Sequence, residues 1–453
     1  MKKKGLIDLT TGRPLTQIII FAIPLVGGTL FQQLYNFVDT LIVGRMIGID
    51  ALAAVGTYYP LSFLILGFIQ GSCVGFSIPL ARSIGNKNDN DIYSFLINAI
   101  WVCILMMIIM TPMMILFSSN LLVLLHTPNN IFSMASIFSI ISFSGIPANI
   151  AYNYSANVLR SFGDSKHPFY FLIISLVINV ILDLILIGPL NMGIAGAAVA
   201  TVISEAVSAM LNIGWILKKF HIKKFSENSF SLTHISEICL IGIPMGLEYS
   251  ISAIGAIVMQ DAINQLGTAS IAAQSAGDKI RQLFTLPMES VGMAMATYTA
   301  QNYGAKKINR IKEGIKSGLL IQLVYSIVAF FIVALSKNSL ISLVLGRKDG
   351  TVFSKANEYL IIISLFFIVH GSLMIFRNVI QGLGRSLYAI FSGFGELIGR
   401  SIGGMLALTS LGYTAICYSN QLAWSISLIY CFIITLILFK TDKSLMVVGK
   451  KTK

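Results

Sequence analysis

The chain has 453 residues, 55% of them hydrophobic and only 11% charged, with a mean hydropathy of +0.81. A soluble domain carries roughly 25% charged residues, so this composition excludes a water-facing globule. A formal net charge of +13 raises nucleic acid as a partner, and five cysteines raise metal or disulfide chemistry, but Cys73, Cys103, Cys239, Cys417 and Cys431 all sit in apolar runs without CxxC spacing.

Apolar runs of about 20 residues read as transmembrane helices. Twelve follow in chain order, at 17–43, 54–80, 93–117, 131–158, 168–188, 193–217, 238–264, 277–301, 314–336, 356–380, 388–409 and 414–439. Most Lys and Arg fall at the termini and in even-numbered connections, such as Arg82, Lys87, Arg160, Lys166, Lys218, Lys223, Lys306, Lys307, Arg310, Arg377 and Arg385. Odd-numbered connections hold Arg45, Lys337, Arg347, Lys348 and Lys355. The positive-inside rule then places both termini in the cytoplasm. The charge is topological, and nucleic acid drops out as a partner. Lys2, Lys3 and Lys4 before an apolar run suggest a secretory signal, but the run from Gln17 is far longer than a signal's core and recurs in mid-chain.

That recurrence is a repeat. "IPLVGGTLFQQLYNFVDTLIVGRMIGIDALAA" from Ile23 returns as "IPMGLEYSISAIGAIVMQDAINQLGTASIAA" from Ile243, and "ARSIGNK" at 81–87 as "AQNYGAK" at 300–306. "NVLRSFGDS" at 157–165 meets "NVIQGLGRS" at 378–386, and Gly193 meets Gly412, with offsets holding at 219 to 221 throughout. The chain therefore reads as an all-α membrane protein of two pseudo-symmetric six-helix bundles, residues 1–220 and 221–453, joined by a basic linker at about 218–236. Two such bundles around a cleft are transporter architecture. No Walker A motif, potassium-channel filter, HExxH or GxSxG occurs. The expectation is a transporter without a cofactor, drawing on an ion gradient or on a separate subunit, and not an enzyme.

A charge at the bilayer centre costs roughly 2.5–3.5 kcal/mol, so acids in apolar runs are candidate sites. Asp39 in "YNFVDTLIVG" and Asp183 in "LVINVILDLILI" have no cation at helical spacing. Asn179 lies one turn before Asp183, Thr201 in "AAVATVISE" lies at a similar depth, and Glu205 is one turn further. Met259 and Gly404 stand in place of Asp39 and Asp183 in the second copy. Glu396 with Arg400 and Asp278 with Arg281 have partners at i,i+4 and i,i+3, and read as structural pairs. His370 is a lone histidine on the tenth helix, with packing the competing role. Two carboxylates, an amide and a hydroxyl suit Na⁺, or a proton shared between the acids.

These segments resemble the multidrug and toxic compound extrusion (MATE) family over nearly the whole chain. "NFVDTLIVGRMIGIDALAAVG", "VLRSFGDSKHPFY", "LVINVILDLILI", "GIAGAAVATVISE" and "AQNYGAKK" carry the resemblance together. It implies the V-shaped fold of two six-helix lobes in the cell membrane, acting as a monomer that exports amphiphilic or cationic drugs against Na⁺ or H⁺. In the DinF-like branch a cation site uses a first-helix Asp, a fifth-helix Asn and Asp, and a sixth-helix Thr, which Asp39, Asn179, Asp183 and Thr201 match. The NorM-like branch places acids on the seventh and tenth helices. Here Glu248 lies about a turn early and His370 takes the tenth-helix place, so the resemblance is closer to the DinF-like branch. Pro24 resembles a proline at which the first helix bends. Tyr35, Asn153, Met288 and Glu205 are named for the substrate cleft, with packing as the competing role. The alternative is a lipid-linked oligosaccharide flippase, whose kind commonly carries more helices and a cationic cavity.

Overall fold

The computed structural model describes residues 6–125, 127–220, 230–346 and 350–441. Lys2, Lys3 and Lys4, Lys223 and Lys224 of the linker, and Arg347 and Lys348 lie outside the described residues. Those described form an all-helical chain in two matched series. The first runs α1 (Pro14–Met46), α2 (Ile49–Asn86), α3 (Asp89–Leu124), α4 (Asn129–Ser144), α5 (Ile146–Ser161), α6 (Lys166–Ile187) and α7 (Gly193–Phe220). The second runs α8 (Leu232–Gln265), α9 (Thr268–Gly304), α10 (Ile308–Leu345), α11 (Thr351–Leu365), α12 (Phe367–Gly382), α13 (Ser386–Ala407) and α14 (Gly412–Thr441).

The fourth and tenth expected helices are each two. α4 and α5 meet at 44° at Gly145, and α11 and α12 at 48° at Phe366, positions 221 apart. Pro147 in the first turn of α5 explains the first break, since it has no amide to continue α4. No proline marks the second. Among the described residues, eight helices are long and apolar enough to cross a membrane, and each bent pair adds one span. α9 and α13 are less apolar than their repeat counterparts α2 and α6, and counting them completes twelve.

The backbone repeats down to its turns. Lys87, the cap of α2, and Lys306, just beyond the cap of α9, both sit at φ 56°, and Gly163 and Gly384 sit at φ 83° and 72°. Gly163 has a second reason to lack a side chain. A Cβ there would fall 2.1 Å from the carbonyl of Ile7, whose own N–H donates to the Gly163 carbonyl at 3.1 Å.

Two compact units result. One takes residues to Asp8 and Gly27–Gly246, and the other takes Leu9–Val26 and the chain from Leu247. The division thus falls inside α1 and α8, in each case just beyond a helix proline, Pro24 or Pro244. In the first unit a large apolar core gathers Ile69, Phe76, Phe143, Ile150 and Leu159 from α2, α4 and α5. Outside the spans, at the α5–α6 turn, Asp164 is 2% exposed. It accepts from the His167 N–H at 3.2 Å, from Trp215 Nε1 at 3.3 Å and from Lys219 Nζ at 3.0 Å. Burial works against its charge, but hydrogen bonds from His167 and Lys219 outweigh burial and hold its carboxyl below the usual carboxylate range.

Candidate functional site

The acids expected to act together do meet within the first unit. Asp39 projects from α1 and Asp183 from α6, and their carboxyls lie within hydrogen-bonding reach of one another. Asn179 and Asp183 are both 0% exposed, while Asp39 is half-buried. Among the described residues no donor reaches either oxygen of Asp183, and the Asn179 amide makes no hydrogen bond. Buried polar atoms are almost always satisfied, so a cluster of orphans points to a ligand that satisfies them. Two facing acceptors become a favourable contact when a proton or cation lies between them.

Thr201 is placed differently from the simplest expectation. Its hydroxyl is 2.9 Å from the Tyr35 hydroxyl and donates to the Ala197 carbonyl at 3.1 Å. Tyr35 is one turn before Asp39 on α1, so it connects the acids to what lies beyond. What lies beyond is a small, half-open cavity of about 30 Å³, lined by Gln32, Tyr35, Tyr152, Ser175, Glu205 and Ser208 among others. Asn149 donates to both oxygens of Glu205, at 3.2 and 3.4 Å, and Asn153 donates to the Asn149 side chain at 3.1 Å. Of the cleft candidates, Tyr35 and Glu205 line this cavity, and Asn153 stands behind Asn149. Met288 belongs to the other unit, fully buried, with its carbonyl accepting from Gln322 at 2.9 Å. Pro24 lies buried within an unbroken α1.

The second unit solves the same burial problem with cations. Arg377, placed by its sequence among the basic residues of a connection, lies inside α12 and is 8% exposed, so it carries no topological information. It reaches Glu248 at 2.8 Å and pairs with Glu396 through its other nitrogen. Gln381 donates to Glu248 at 2.7 Å, and Ser252 to Glu396 at 2.5 Å. Arg400 completes the expected pair with Glu396 at 3.2 Å. Asp278 takes Arg281 at 2.9 Å, Tyr359 at 2.6 Å and Gln274 at 3.0 Å. Where α6 has Asp183, α13 has Gly403 and Gly404. A Cβ at Gly403 would fall 2.0 Å from the Ser419 hydroxyl, so α13 and α14 close together there.

Sequence reasoning passed over Asn149, although Asn149, Asn153 and Asn157 form an i, i+4, i+8 amide stripe along α5. It also passed over Glu289, an isolated acid in the span "TLPMESVGM".

Comparison with known proteins agrees with this architecture. The chain is 26% identical to the "Probable multidrug resistance protein YoeA" of Bacillus subtilis, over 82% of this chain and 81% of that one. It is 24% identical to the "FAD transporter" of Shewanella oneidensis over 90% of each. A crystal structure of MATE in the bent conformation superposes with a TM-score of 0.89 at 20% identity, covering 99% of this chain and all of that one. Residues 24–185 and 244–400, one stretch in each repeat, match the MatE family. The chain therefore belongs to the MatE family, and is a multi-pass membrane transporter rather than an enzyme.

Proposed function

We propose that this protein exports amphiphilic, cationic small molecules across the cell membrane, as a monomer with both termini cytoplasmic, in exchange for Na⁺ or H⁺ at Asp39, Asn179, Asp183 and Thr201. The observation that carries this reading is the meeting of Asp39 and Asp183 beside an amide without hydrogen bonds. Hard oxygen donors of this kind suit Na⁺, and a single proton converts the facing acceptors into a hydrogen bond. The Tyr35–Thr201 contact supplies the coupling. Drawing Thr201 toward the acids releases Tyr35, and Tyr35 lines the cavity that Glu205 makes acidic. Pro24, where α1 passes from one unit to the other, supplies the bend such a rearrangement needs. Each charge moving down about 100 mV contributes about 2.3 kcal/mol.

The test is efflux of a fluorescent organic cation from proteoliposomes, with sodium and proton gradients imposed separately. Asp183→Asn should abolish driven efflux while leaving protein yield and melting temperature unchanged. Full efflux in that variant overturns the assignment. The same assay separates export from the flippase alternative, which the relatives named above do not favour.

A further inference from the structure

In the first unit a run of hydrogen bonds leads away from Glu205 along α5. Asn149 donates to both Glu205 oxygens, and Asn153 donates in turn to Oδ1 of Asn149 at 3.1 Å. One turn further, Asn157 donates to the Asn153 carbonyl at 2.8 Å, and Nη1 of Arg160 donates to Oδ1 of Asn157 at 3.2 Å. Every bond points the same way, towards the cavity. The two ends enforce this, because a guanidinium has donors alone and a carboxylate has acceptors alone. Oδ1 of Asn157 faces Arg160, which turns its amide nitrogen up the helix. Asn149 offers its nitrogen to Glu205, which leaves its oxygen for Asn153.

Arg160 and Glu205 each lack a closer partner of opposite charge. Arg160 is half-buried in the last turn of α5, and among the described residues its Nε has no hydrogen bond and no carboxylate pairs with it. Asp164, four residues on, is already held by His167, Lys219 and Trp215. The other ionisable side chains facing Glu205 among the described residues are phenols, Tyr35 of α1, Tyr58 of α2 and Tyr152 of α5. None of them supplies a cation.

We propose that Arg160 is a positioning residue for Glu205, acting through Asn157, Asn153 and Asn149 to keep that carboxylate charged and turned towards a cationic ligand. The path covers about 16 Å of helix. Aligned hydrogen bonds polarise one another, and the guanidinium orients the lowest rung. The ligand class rests on the export reading, whereas the ladder stands on its own geometry. The sign of the effect separates this relay from plain charge. Through space a guanidinium repels a cation in the cavity, so its removal would tighten binding. Through the ladder its removal loosens binding.

The experiment measures benzyltrimethylammonium binding to full-length protein in detergent by equilibrium dialysis. Arg160→Met should weaken binding about fivefold, and Arg160→Lys, which keeps a donor for Asn157, should restore it. Asn157→Leu cuts the ladder and leaves the guanidinium charge in place. It should weaken binding to a similar degree, and it serves if Arg160→Met fails to fold. In a Glu205→Gln background, adding Arg160→Met should change nothing further. The infrared difference between wild type and Glu205→Gln reads the Glu205 carboxyl directly, without a ligand. It should show a carboxylate band at neutral pH, and the same difference taken in Arg160→Met should gain a protonated-acid band. Tighter or unchanged binding in Arg160→Met, additive losses in the double variant, or an unchanged infrared band overturns the proposal. If wild type fails to bind the cation, the export reading falls and the infrared band still decides the ladder.

Discussion

Arg377 on α12 and Glu248 on α8, far apart in the chain, lie 2.8 Å from one another in the second unit. No single helix face could join them, so the pair exists only in the folded protein. Arg377 also holds Glu396, which makes it the counter-charge for two buried acids. Removing one partner of such a cluster strands charge in a dry interior. Arg377→Met should cost about 3–5 kcal/mol, read as a fall in melting temperature in detergent. Adding Glu248→Gln to that variant should recover much of the loss, because Glu396 keeps Arg400 as its counter-charge.

Asp164 gives stability a defined pH dependence. Its folded carboxyl titrates below the ordinary value of 3.8, so its contribution is complete above that value and is lost as pH falls through the folded value. Asp164→Asn should therefore destabilise the protein at neutral pH, by on the order of 1–3 kcal/mol. The gap from wild type should close on acidification below about pH 4, as followed by thermal melts across pH.

Gly163→Ala places a methyl group against the Ile7 carbonyl, at a backbone angle that side chains resist. The Ile7–Gly163 hydrogen bond should be lost, with a cost of roughly 1–3 kcal/mol. Hydrogen exchange at the Ile7 amide should speed up, while amides in the middle of α5 keep their protection.

Glu205→Gln removes charge from the first-unit cavity and retains a side-chain oxygen that can accept from Asn149. Affinity for a cationic substrate should fall about tenfold, and affinity for an uncharged one of similar size should change little. Direct binding to purified protein checks both.

The helices and their doubling are legible in the sequence because apolar runs and recurring segments are local properties of a chain. Asp39 and Asp183 are legible for a related reason: a carboxylate in an apolar run stands out against its immediate neighbours. Partner choice is not legible in the same way. The Glu396–Arg400 pair can be read at i,i+4, but the larger role of Arg377 depends on α8, α12 and α13 packing side by side. Thr201 can be picked out, whereas its bond to Tyr35, 166 residues away, cannot. The bend at Gly145 has Pro147 to announce it, and the bend at Phe366 has no such signal.

The division inside α1 and α8 has a consequence for anyone who would cut the gene at its apparent midpoint. A fragment ending in the linker would carry Leu9–Val26, which belongs with the other half, and would lack the stretch of α8 up to Gly246 that belongs with its own. Each half-length product would be born with a foreign piece and a missing one. The sequence repeats as two copies, but the folded units trade a stretch of α1 and a stretch of α8, so the repeat boundary and the unit boundary do not coincide.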